Sequence, residues 1–150
     1  MMKRRGTVWA ASLVIVLSVS LTGCESYSLG PVAIARSGDD LLVTLCADMS
    51  ITSVAGETRS GDAYLDFVSL VGPYEASSGT TFHSGEVPVG MTGYFNDVDF
   101  SRTSSILVFF AGPELEVVGG FNDLRELANE QSSWLQTDGT VTSEPCPEKE

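Results

Sequence analysis

From Asp40 to Ile51 every odd position is apolar: Leu41, Val43, Leu45, Ala47, Met49 and Ile51, while the even positions include Thr44, Asp48 and Ser50. A period of two marks extended backbone with one face buried, because successive side chains on a strand point to opposite sides. From Pro31 onward the chain repeats this chemistry in short runs of Val, Ile, Leu, Thr and aromatics, broken by Gly, Pro, Asp and Asn. Strands are predicted at Pro31 to Arg36, Asp40 to Asp48, Ile51 to Arg59, Ala63 to Val71, weakly Thr80 to Val87, then Ser105 to Ala111, Glu114 to Gly119 and Thr140 to Ser143. Their spacing predicts an all-β domain, a small antiparallel sandwich or a barrel-like closure.

Two runs say something about layers. Ile106-Leu107-Val108-Phe109-Phe110 is apolar on both faces, as expected of a strand inside the domain. Gly112-Pro113 then turns the chain into Glu114-Leu115-Glu116-Val117, which alternates, so a hairpin with a half-exposed second strand is expected. One stretch, Asn122 to Glu130, has helix-forming composition, with Asn122 as N-cap and acidic residues in the first turn.

The amino-terminal residues are of another kind. Met1-Met2-Lys3-Arg4-Arg5 is basic, Gly6 to Leu21 is uncharged and apolar, and Leu21-Thr22-Gly23-Cys24 follows at once. The pattern is that of a signal peptide, shorter than the roughly 20 apolar residues of a spanning helix; an uncleaved short anchor is the alternative. The four residues closing it resemble the lipobox of bacterial lipoproteins. That resemblance implies cleavage between Gly23 and Cys24 and diacylglycerol attachment to the Cys24 thiol. It also implies location at the extracytoplasmic face of the cell membrane, held by acyl chains at ~0.8 kcal/mol per buried methylene. The chain then divides into a leader (1–23), a lipidated tether (24–30), one β domain (31–147) and a frayed tail (148–150). At about 3.4 Å per residue the tether reaches roughly 25 Å, which keeps the domain near the bilayer. Arg outnumbers Lys, which is limited to Lys3 and Lys149. With the short format, this usage resembles that of the small lipoproteins of actinobacteria.

Once Cys24 is acylated, Cys46 and Cys146 are the remaining cysteines, in a compartment where disulfides persist. They are expected to pair; two buried free thiols are the alternative. Strict alternation puts Cys46 on the outer face of its strand, where the bond would staple the carboxyl-terminal tail across the outside of the sheet, although Leu42 interrupts the polarity of that face.

Charge narrows the partners. The chain carries 20 acidic and 8 basic residues, net −12; Lys3, Arg4 and Arg5 leave with the leader, so the mature part has 20 against 5, or −15. Phosphate binding is driven by Lys and Arg releasing counterions, so nucleic acid is excluded, and an envelope protein or a cationic ligand is the partner such a field favours.

Signals for catalysis are sparse. His83 is the single histidine, so zinc sites with several His ligands do not arise, and G-x-S-x-G, Walker and G-x-G-x-x-G patterns are absent. A calcium loop starting at Asp97 would need Gly at Arg102 and Glu at Val108. No metal or cofactor is expected. The segment from Gly93 to Phe100 mixes aromatics with acids, and Tyr94, Phe95, Asp97, Asp99 and Phe100 form a candidate contact patch, the alternative being a loop that tucks its aromatics inward. These readings favour a lipid-anchored interaction module of the cell envelope. A small hydrolase using His83 and a purely structural lipoprotein are the alternatives.

Overall fold

The computed structural model describes residues 30–127 and 133–148. The leader, Cys24 and the tether up to residue 29 lie outside the described residues, as do 149–150 of the tail.

Among the described residues there are ten strands: β1 (Val32–Ser37), β2 (Asp40–Leu45), β3 (Met49–Ser60), β4 (Ala63–Ala76), β5 (Thr80–His83), β6 (Thr92–Phe95), β7 (Ser105–Ala111), β8 (Glu116–Asn122), β9 (Trp134–Gln136) and β10 (Val141–Thr142). They form two five-stranded antiparallel sheets. A short sheet has the order β10-β9-β1-β2-β5, and a long sheet the order β6-β4-β3-β7-β8. The sheets stack as a sandwich, not a closed barrel. One continuous core takes Ile34, Val43 and Phe82 from the short sheet and Ile51, Leu70 and Phe110 from the long one. Phe82 joins the layers directly, its ring 5.5 Å from those of Tyr74 and Phe110, tilted against both. Such tilted pairs add about 0.5–1.5 kcal/mol to their area burial.

The alternation read in β2 holds. Leu41, Val43 and Leu45 face the core, while Leu42 sits in a separate small cluster with Ala33, Ala35 and Trp134 on the outer side of the short sheet. Leu42 lies beside Ala35 across the β1–β2 pair. The residue that breaks the polar face is therefore apolar because Trp134 and two alanines meet it there. Thr44, on the same side, satisfies its buried hydroxyl with that of Thr81 at 2.7 Å. Cys46 follows β2 on this side and is bonded to Cys146, 100 residues away, with Cα atoms 5.4 Å apart. The Gln136 side-chain amide donates to the carbonyl of Pro145, next to the bridge, at 3.2 Å. The tail is thus tied to the flank of the short sheet.

β3 and β4 are longer than predicted, at 12 and 14 residues. At about 3.4 Å per residue they run for more than 40 Å, roughly twice the length of six-residue β1 and β2. β3 and β4 pair with each other along their length, with register shifts between Ile51 and Ser53 and between Gly56 and Glu57. Gly56 faces Val68 but Glu57 faces Asp66, so Phe67 is an extra residue in β4. This bulge is why neighbours Phe67 and Val68 are both buried. A Cβ on Gly56 would lie 2.8 Å from the Phe67 ring, so the absent side chain makes room for the turned-in phenylalanine.

Several expectations need correction. β7 buries Ile106, Val108 and Phe110 in the core between the sheets, but Leu107 and Phe109 point to the outer face of the long sheet and are only half-buried. β8 begins at Glu116, not Glu114, and continues to Asn122, with Val117, Val118 and Gly119 buried in succession. The helix predicted from Asn122 is replaced, over the described residues, by strand and one 3-10 turn. Asn122 pairs with Ser105, Asp123 adopts φ 59° without a side-chain cap, and Leu124–Glu126 make the turn. Residues 128–130 of that prediction lie outside the described residues. Tertiary burial outweighs propensity here: Phe121, Leu124 and Leu127 enter the core, which pulls the chain along the sheet end. β6 and β9 were not foreseen. They have four and three residues, too few for a period to register. β6 also depends on Gly93, whose φ is 129° and whose absent Cβ lets the strand lie against the Ser69 carbonyl.

The sandwich has two unlike ends. The described chain arrives at one of them, where the Gly30 N–H donates to the Val118 carbonyl at 2.7 Å, beside the start of β8. At the opposite end lie the β1–β2 turn, the β3–β4 turn, the loop from 96 to 104 and the end of β8.

Candidate functional site

The chemistry-bearing residues collect at the end remote from Gly30. Here β3 and β4 overhang the short sheet. β6 pairs with β4 only from Val68 to Val71. A last bond runs from the Asn96 N–H to the Phe67 carbonyl at 2.7 Å, after which the chain leaves the sheet. Among the described residues no strand covers the edge of β4 from Ala63 to Asp66, and these four residues are exposed. Leu65 is 61% exposed and Tyr64 60%, on opposite faces of the strand.

The loop that follows β6 curls back alongside this overhang. Asp99 organises it: its carboxylate accepts hydrogen bonds from the Ser101 hydroxyl at 2.5 Å and the Ser101 N–H at 3.0 Å, and pairs with Arg102 at 3.5 Å. The Ser101 hydroxyl is the main reason the Asp99 carboxyl titrates below its ordinary value. Val98 is buried and pins the loop to the core, and Phe100 packs against the core under the Arg36 guanidinium, 4.5 Å from its ring centre. Asp97 is tied down separately. It accepts from the buried Ser84 hydroxyl at 3.0 Å, and that oxygen in turn accepts the Leu41 N–H at 2.9 Å. Between loop and overhang is an open cleft of about 430 Å³, bounded by Thr58, Leu65 and Asp66 on the strands and by Asn96, Asp99 and Arg102 on the loop.

The five residues of the predicted contact patch are thus divided. Asp97, Asp99 and Phe100 share the loop. Tyr94 is 41% exposed on the outer face of the long sheet, beside Ser69. Phe95 is buried, its ring 5.8 Å from that of Phe67. One of the two β6 aromatics is turned inward and the other is not, as an extended strand demands.

His83 is exposed on β5, an edge strand, and pairs with Leu42 on the outer side of the short sheet. Ser84, the next residue, is buried and turned the opposite way, with its hydroxyl engaged by Asp97 and Leu41. Ser, His and Asp lie close in this region, yet the histidine faces away from the serine, so they do not form a proton-relay geometry. Among the described residues no group of three or more His, Cys, Asp or Glu side chains is placed to hold a metal ion. Cys24 lies outside the described residues.

The residues that sequence reasoning missed are Tyr64, Leu65 and Asp66. They were read as ordinary strand, and the available signal was the pair of large apolar residues Tyr64-Leu65 one residue past the Gly61-Asp62 turn, between Asp62 and Asp66, where an exposed strand end would have no packing reason for them.

Comparison of the chain with family models, with curated proteins and with solved structures found no match in any of the three.

Proposed function

We propose that this chain is a lipid-anchored interaction module of a bacterial cell envelope, working on the extracytoplasmic face of the membrane. The observation that carries the reading is the bond between Cys46 and Cys146 downstream of Leu21-Thr22-Gly23-Cys24. A disulfide of this kind belongs to an oxidising compartment, and the amino-terminal pattern supplies both export and attachment. The β scaffold supports a binding role over a catalytic one, because Tyr64, Leu65 and Tyr94 stand exposed on its strands near an acidic loop while the single histidine faces away from the buried Ser84 hydroxyl. The net charge of −15 left after removal of the basic leader favours a partner with positive charge.

The test has two parts. Cys24→Ser should abolish incorporation of labelled acyl chains and move the protein from the membrane fraction to the soluble one; unchanged sedimentation and processing would overturn the anchoring. Cross-linking the full chain in intact envelopes should then trap a defined partner in a band that weakens on substitution of an exposed loop residue. Identical, background-level labelling with wild type and variants would overturn the interaction role.

A further inference from the structure

We infer that the uncovered edge of β4, Ala63 to Asp66, is the docking site of this module, and that it takes up an extended peptide segment of alternating basic and apolar residues as an added strand. The inference rests on the reading of the chain as an interaction module and names the partner's chemistry.

Three observations converge on this edge. The first is backbone supply: β6 leaves the sheet after the Asn96–Phe67 bond, so the ladder of β4 is interrupted where a further strand could continue it. An open edge presents unpaired amide and carbonyl groups, which is the geometry used in strand addition. The second is side-chain supply. Leu65 and Tyr64 project to opposite faces of the edge and are both more than half exposed, so an added strand finds an apolar neighbour on either side. The cleft of about 430 Å³ next to Leu65 gives one row of its side chains a place to enter. The third is charge. Asp62 and Asp66 lie at the edge and Asp97 and Asp99 border the cleft from the loop; Arg102, paired with Asp99, and Arg59, over the Tyr64 ring, offset part of this charge and leave the acids in excess.

Those carboxylates also select against the commonest wrong occupant. Edge strands invite pairing with a second copy, and charged side chains are a usual guard against it. A second copy would bring the same Asp62 and Asp66 against their counterparts, on a chain already strongly negative. For an extended segment with Lys or Arg at alternate positions the excess of acids is attractive, Arg102 being already paired with Asp99, and its basic side chains can reach Asp62 and Asp66 while its apolar ones cover Leu65. The site lies at the end of the sandwich away from Gly30.

The experiment uses the full chain in detergent and three short labelled peptides: one alternating lysine and valine, one alternating glutamate and valine, and the lysine peptide N-methylated at every backbone amide, so that neither of its edges can donate to a ladder. The lysine peptide should bind, with amide chemical-shift changes concentrated at Ala63 to Asp66 and in the 96–103 loop. The glutamate and N-methylated peptides should bind about tenfold more weakly or not at all, and Asp62→Lys with Asp66→Lys should weaken the lysine peptide by a similar factor. Equal binding by the N-methylated peptide, or shifts confined to another surface, would overturn the strand-addition geometry. So would the absence of binding by the lysine peptide. A concentration-dependent dimer abolished by the double lysine variant would assign the edge to a second copy instead. Should that double variant fail to fold, the N-methylated peptide still decides the point on the native chain. A partner trapped in envelopes by a chain whose β4 edge proves inert would leave the interaction module standing and remove this site from it. Failure of both experiments would remove the module itself.

Discussion

The flank of the short sheet and the overhang of the long one are built from the same strand chemistry and come to opposite ends. On the flank, Ala33, Ala35, Leu42 and Trp134 close a second small cluster outside the main core, and the Cys46–Cys146 bond holds the tail beside it. At the overhang, β4 loses its neighbour strand, and Tyr64 and Leu65 stand in solvent. The difference teaches that apolar composition is no measure of burial in this chain. What decides is whether another element reaches the same height, and the short sheet is too short to cover the last residues of the β3–β4 hairpin.

This contrast is open to attack at several points. The largest effect is expected in the shared core: Phe110, fully buried and in contact with Phe82, should cost about 3–5 kcal/mol when changed to alanine, read by denaturant unfolding. Loss below about 1 kcal/mol would mean that the two sheets do not depend on one core. Next comes the staple. Removing it with Cys46→Ala and Cys146→Ala should cost about 2–4 kcal/mol, since the bond closes a loop with a sequence separation of 100 and mainly restricts the unfolded chain. In hydrogen exchange the loss should be visible first in the tail and β10, while the overhang is unaffected.

At the overhang the expected change in stability is small. Leu65→Ala should alter unfolding by no more than about 0.5 kcal/mol, because the side chain is mostly in water already. A large loss would show that the edge is covered in solution and would dissolve the contrast. The smallest effect concerns pH. Asp99 titrates below its ordinary value because of Ser101 first, and Arg102 as well. A depressed carboxyl stabilises the fold above the normal carboxylate range, and that contribution is lost as pH falls through the folded-state value. Asp99→Asn should therefore slightly flatten the acid side of a stability profile and leave it unchanged at neutral pH and above in slope. A profile that steepens would contradict the loop geometry.

Much of the architecture was legible because it follows from period two. The alternation through Leu41, Val43 and Leu45 specified which face of β2 is buried, and the Gly112-Pro113 turn specified the β7–β8 hairpin. The readings that failed did so where distant packing overrode local preference. Asn122 looks like an N-cap until Phe121 is seen in the core, and β6 is invisible until Gly93 is seen against Ser69. The contact patch was legible as a loop rich in aromatics and acids, but its division among core, sheet face and cleft was not. Single-residue alternation sends Tyr94 and Phe95 to opposite sides, and only a partner strand says which side is wet.

That the chain is built of strands, that residues 1–24 resemble a lipoprotein leader and that the whole is strongly acidic could be read from residue order alone, since periodicity, apolar runs and charge are local or summed properties. That β4 outruns β6, so that among the described residues no strand pairs with the outer edge of Ala63 to Asp66, came from the folded arrangement. Relative strand length is a relation between segments far apart in the chain, fixed by register and bulges, and no stretch of residues states it alone.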